Sequence, residues 1–84
     1  MQKTIIVTGA GSGIGKATAT AFLENGYKVG FLGRRAATLE SAANGHKNAL
    51  ILPCDVSDPN DVETAFATAT ASWGRLDVLF NNAG

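Results

Sequence analysis

The sequence predicts an α/β chain built on a doubly wound parallel sheet, and three observations carry that expectation. Apolar runs rich in β-branched residues alternate with helix-patterned stretches along the 84 residues. A glycine-rich turn, Thr8-Gly9-Ala10-Gly11-Ser12-Gly13-Ile14-Gly15, joins the first run to the first helical stretch. The other distinctive residues follow directly on the ends of later runs, the edge of such a sheet where ligands bind. Strands alternating with helices imply right-handed crossovers and helices on both faces, with strand order 3-2-1-4.

Taken in order, Ile5-Ile6-Val7 is the first strand and the glycine turn leads into a helix expected over residues 13–25. Ile14, Ala17, Ala21 and Phe22 are expected on its sheet-facing side, and Asn25-Gly26 supplies the stop. Residues 28–33 read as a second strand around Val29, Phe31 and Leu32, and residues 36–43 as a modest helix ended by Asn44-Gly45. The nearly continuous apolar run over 49–54 suggests a strand buried on both faces, with Pro53 at its end. Ser57-Asp58-Pro59 offers cap candidates and a first-turn proline, and Val62, Ala65, Phe66, Ala69 and Trp73 follow at helical spacing. Gly74 closes that helix, and residues 76–80 form the fourth strand.

The turn after the first strand is chemically the most informative stretch. Unpaired N–H groups at a helix start, with about half a positive charge from the helix dipole, make an anion site suited to a pyrophosphate. Spacing decides between glycine motifs. A Walker A loop needs glycine where Ala10 stands and a hydroxyl where Ala17 stands. The G-x-G-x-x-G fingerprint needs its third glycine at Ile14. What fits is G-x-x-x-G-x-G through Gly9, Gly13 and Gly15. Gly9 would make the sharp exit from the strand, Gly13 would let the backbone approach the anion, and Gly15 would let the helix lie close to the sheet.

This loop resembles the cofactor loop of the short-chain dehydrogenase/reductase family, and Asn81-Asn82-Ala83-Gly84 resembles that family's second signature, with Asp55-Val56 between them. The resemblance covers the whole chain and implies the N-terminal half of a dinucleotide-binding Rossmann domain, truncated ahead of its catalytic half. It implies a cofactor site formed by Gly9, Ser12, Gly13, Ile14, Gly15, Arg34, Arg35, Asp55, Val56, Asn82, Ala83 and Gly84. Ile14 would give its backbone N–H to the pyrophosphate and its side chain to packing, Asp55 would accept from the adenine amino group, and Val56 would cover the ring. Asn82, with Ala83 and Gly84, would line the adenosine side and tie the fourth strand to its neighbours. Plain alternatives stand beside these roles: a turn cap for Asp55, an ordinary turn for 81–84, and solvated side chains for the arginines.

The end of the second strand bears on the choice of nicotinamide cofactor. A carboxylate there accepts from the ribose hydroxyls of NAD, whereas a guanidinium pairs with the extra phosphate of NADP. In the family the acidic residue would fall at Gly33; Gly33 followed by Arg34 and Arg35 resembles the NADP(H)-preferring pattern, with NAD(H) retained as the alternative. Ser12 occupies the loop position where some relatives carry a basic residue.

The resemblance also implies an oxidoreductase acting on a carbonyl/alcohol pair through a Tyr-x-x-x-Lys motif. The one tyrosine, Tyr27, has Phe31 four residues on, so no catalytic residue is assigned in this chain. A free-standing dinucleotide-binding module and an inactive fragment are the competing readings.

Composition narrows the partners further. Seven basic and seven acidic side chains cancel, which argues against nucleic acid or an anionic membrane as partner. The single cysteine, Cys54, excludes an internal disulfide and a multi-thiolate metal site, and reads as a small buried side chain. His46 and Lys16 read as solvated. With no signal-like or membrane-spanning stretch, a cytoplasmic location is expected. An exposed apolar edge at Val78-Leu79-Phe80 predicts association or disorder of the chain in isolation, and a homo-oligomer is expected.

Overall fold

The computed structural model describes residues 2–81. Four parallel strands, β1 (Thr4–Thr8), β2 (Lys28–Gly33), β3 (Ala49–Pro53) and β4 (Val78–Phe80), alternate with helices α1 (Gly13–Glu24), α2 (Ala36–Ala43) and α3 (Pro59–Trp73). The strand order is β3-β2-β1-β4, the doubly wound arrangement. Register places Ile5 beside Val29 and Val78, and Phe31 beside Ile51.

Side-chain alternation along the strands builds two cores. Ile5, Val7, Val29 and Phe31 meet Ala19 and Leu23 of α1 and Leu39, Ala42 and Ala43 of α2 on one face. Ile6, Leu32 and Leu52 meet Ala65 and Ala69 of α3 on the other, with Trp73 and Leu76 packed alongside. Central β1 is buried at all five positions, because both its neighbours and both its faces are covered.

Three expectations need correction. The buried face of α1 is Gly15, Ala19 and Leu23, rotated by about 100° from the face carrying Ile14, Ala17 and Ala21, which are exposed. The side-chain-free Gly15 sets this rotation by letting the helix approach the sheet there, while half-buried Phe22 packs edge-on against Tyr27, ring centroids 4.7 Å apart. The third strand ends at Pro53 and is an edge, so Ala49, Leu50 and Ile51 are only half-buried. The edge location also explains why proline is tolerated in it.

The fourth strand begins at Val78 rather than two residues earlier. Asp77 is committed to a clasp with the start of β1. Its Oδ2 accepts from the Thr4 amide at 2.9 Å, its own amide donates to Thr4 Oγ1 at 3.0 Å, and Oδ1 pairs with Arg75. Leu76 meanwhile turns into the α3-side core.

A second feature shapes the α3 face. A Cβ on Gly30 would lie 2.8 Å from Leu52 Cδ1, 3.1 Å from Ile6 Cγ1 and 3.2 Å from Trp73 Cη2. The missing side chain on β2 is the notch into which α3 sets its last aromatic ring. Among the described residues no helix is long and apolar enough to cross a membrane.

Candidate functional site

The carboxyl ends of β1, β2 and β3 open onto a cleft of about 500 Å³, lined by Gly9, Gly11, Ser12, Gly33, Arg34, Arg35, Thr38, Leu39, Cys54, Asp55, Val56 and Ser57. Three separated stretches of sequence thus meet at one edge of the sheet. Parallel pairing brings them there, since β1, β2 and β3 all run toward this edge.

The glycine turn is shaped by backbone geometry. Gly9 has φ 64° and Gly13 φ 59°, a left-handed conformation that side chains rarely adopt. A Cβ on Gly13 would meet nothing within 4 Å, so the space in front of it is open. Ser12 is the N-cap of α1, yet its side chain caps nothing, and the first turn contains no acidic residue. The orphan N–H groups at this helix start are therefore left for a ligand, and the dipole favours an anion. Ile14, on the first turn, is 70% exposed, so its side chain does not join the core as expected.

Sequence reasoning passed over Gly11. A Cβ at that position would stand 2.7 Å from Thr38 Cγ2, so Gly11 is what lets α2 close against the turn. The signal in the sequence was the extra glycine between the two counted ones. Thr8 was likewise placed in the loop without a role. Its Oγ1 lies 3.2 Å from Asn81 Oδ1 and 3.4 Å from the Phe80 carbonyl oxygen, which ties the end of β1 to the end of β4. Asn82, Ala83 and Gly84 lie outside the described residues.

Arg34 and Arg35 follow β2, both exposed, and Arg35 takes the N-cap position of α2 without a side-chain cap bond. Gly33 is half-buried; a Cβ there would approach Leu39 Cδ2 to 3.1 Å. Across the cleft, Asp55 serves the turn that leads into α3. Its Oδ1 accepts from the Ser57 amide at 3.0 Å and the Ser57 hydroxyl at 2.6 Å. The turn-cap alternative for this carboxylate is thus realised in the structure, while no described hydrogen bond uses Oδ2. The two Ser57 bonds hold the Asp55 carboxyl below the usual carboxylate range, and the Arg34 charge acts in the same direction.

Beneath the cleft, Cys54 is buried and its amide donates to the Gly33 carbonyl at 2.6 Å. Burial pushes its thiol up, and Asp61, Asp55 and Asp58 add to that. A thiol so disposed is a packing group, not a nucleophile. Val56, 49% exposed, presents an apolar surface at the rim.

A sheet of this order, with a glycine turn feeding an uncapped helix at the carboxyl edge of its central strand, is a Rossmann-type α/β fold. The chain belongs to the short-chain dehydrogenase family: the family model described as short chain dehydrogenase matches residues 3–84. It is 45% identical to a 2-(R)-hydroxypropyl-CoM dehydrogenase of Xanthobacter autotrophicus, an alignment covering 100% of this chain and 36% of that protein. An uncharacterized oxidoreductase of Staphylococcus saprophyticus is 42% identical, with 99% of this chain and 35% of the relative covered.

Among solved structures, a short chain dehydrogenase from Bacillus anthracis superposes with a TM-score of 0.92 at 34% identity, over 98% of this chain and 34% of that one. A 3-ketoacyl-(acyl-carrier-protein) reductase from Brucella melitensis, complexed with NADH, gives 0.88 at 36% identity, over 92% and 32%. The chain spans about a third of the length of these proteins.

Proposed function

We propose that the cleft holds the adenosine and pyrophosphate end of a nicotinamide dinucleotide, NADP(H) in preference to NAD(H). In this reading the chain is the cofactor-binding half of an oxidoreductase acting on a carbonyl/alcohol pair. The observation that carries it is the start of α1: an uncapped helix N-terminus without acidic residues, next to a left-handed Gly13 with open space before it. Those residues fit a pyrophosphate, because a Cβ at Gly13 or a capping carboxylate would oppose one. The reductase of Brucella melitensis, similar in fold, was solved with NADH.

Each residue then has a task. Gly9 and Gly15 set the turn and the helix approach, while Ser12, Gly13 and Ile14 present donors to the pyrophosphate. Arg34 and Arg35 face a 2′-phosphate, and the lack of a carboxylate at Gly33 removes the group that would repel it. Asp55 and Val56 bound the adenine, and the family resemblance gives Asn82, Ala83 and Gly84, outside the described residues, the adenosine side. A nicotinamide dinucleotide, once bound, supplies or accepts hydride at the carbonyl carbon of the substrate.

Calorimetric titration with NADP+ and NAD+ tests the assignment. NADP+ should bind more tightly, and Arg34→Ala should weaken it about tenfold or more while leaving NAD+ nearly unchanged, as expected for loss of a charge-assisted hydrogen bond. Gly33→Asp should move preference toward NAD+, provided Leu39 yields a few tenths of an ångström to the new Cβ. Equal affinities that ignore both substitutions would contradict the NADP(H) preference.

A further inference from the structure

Arg34 has one ionic partner among the described residues, and it is not a cofactor. Its Nη2 lies 3.8 Å from Asp55 Oδ1, with the two side chains 77% and 41% exposed. That separation is an ion pair without a hydrogen bond. The reason for the gap is on the same oxygen: Oδ1 already accepts from the Ser57 amide at 3.0 Å and the Ser57 hydroxyl at 2.6 Å. Two donors on one oxygen restrain the carboxylate's orientation, against a swing that would offer Arg34 a two-oxygen face. Arg34 is attracted across the cleft but left with its donors uncommitted.

We propose that Asp55 competes with the cofactor's 2′-phosphate for Arg34, and that Ser57, by holding Asp55 back, sets how strongly the site discriminates NADP(H) from NAD(H). The proposal rests on the cofactor reading above. Ser57 is a positioning residue here, since it acts on the phosphate only through Asp55 and Arg34. Both nucleotides carry the same adenine, so any direct contact of Asp55 with that ring alters both affinities alike. The ratio of the two dissociation constants isolates the competition for Arg34.

The test is a cycle of calorimetric titrations with NADP+ and NAD+ on the whole protein, using Asp55→Asn, Ser57→Ala and both together. Asp55→Asn should raise the preference for NADP+ about two- to fivefold, the span of a surface ion pair. Ser57→Ala should lower it about twofold, because the freed carboxylate closes on Arg34, and Ser57→Thr should restore it. When Asp55→Asn is already in place, adding Ser57→Ala should leave the ratio unchanged. An unchanged ratio in Asp55→Asn, or an undiminished Ser57 effect without the carboxylate, would overturn the proposal while the cofactor reading stood. Absence of binding by either nucleotide in the unsubstituted protein would overturn both.

Discussion

Asp55 and Asp77 show how far a single side chain can be read from sequence. The family resemblance marked Asp55 as a site residue with a turn cap as the plain alternative, and its hydrogen bonds to Ser57 realise that alternative. The clasp of Asp77 with Thr4 joins residues 73 positions apart and left no trace in the sequence. Both carboxyls are held below the usual range, Asp55 by Ser57 and Asp77 by Arg75 first and Thr4 next. A depressed carboxyl favours the folded state when ionised, and that contribution is lost as pH falls below about 4 and through the folded values. The raised Cys54 thiol acts at the other end: its contribution is full below about pH 8.5 and declines as pH rises toward its folded value. The melting temperature should therefore fall on both sides of a neutral plateau. A profile still rising as pH drops below 4 would contradict the roles given to Asp55 and Asp77.

At the scale of elements, helices with punctuation were legible, and so was the face of α3, where Val62, Ala65, Phe66, Ala69 and Trp73 pack as their spacing predicts; the face of α1 was not. Asp58 accepts from the Asn60 amide at 2.9 Å, Pro59 opens α3, and Gly74 closes it with φ 78°, all as the residue types suggest. The rotation of α1 was misread because counting apolar residues favoured Ile14 and Ala17, while contact with the sheet is fixed by Gly15, which has no side chain to count. The notch at Gly30 escaped for the same reason, although it decides how α3 seats Trp73. Gly30→Ala should destabilise the fold by about 1–3 kcal/mol, the usual cost of overpacking. Thermal or urea unfolding measures it, and a variant as stable as the parent would show that Leu52, Ile6 and Trp73 do not define a filled interface.

The whole molecule follows from one topological fact, a parallel sheet in the order β3-β2-β1-β4. That order was legible because β-branched runs, helix stops and the glycine turn agree on the same alternation. It sends every strand's carboxyl end to one edge, so the turn at Gly9 to Gly15, the arginines after β2 and Asp55 after β3 need no long-range motif to meet. Burial along the edges was legible in part: the exposed edge of β4 was expected, whereas the apolar run of β3 reads as a strand buried on both faces. β3 is half-open, and in β4 Val78 is 40% and Leu79 46% exposed.

The central claim is that this edge binds the phosphate end of a dinucleotide, and backbone amide NMR during titration with NADP+ tests it most directly. The predicted result is that the largest shifts fall on Ser12, Gly13, Ile14 and Gly15, joined by Arg34, Arg35, Asp55 and Val56, with the amino ends of the strands unmoved. Shifts confined elsewhere, or none at saturating nucleotide, would contradict the claim.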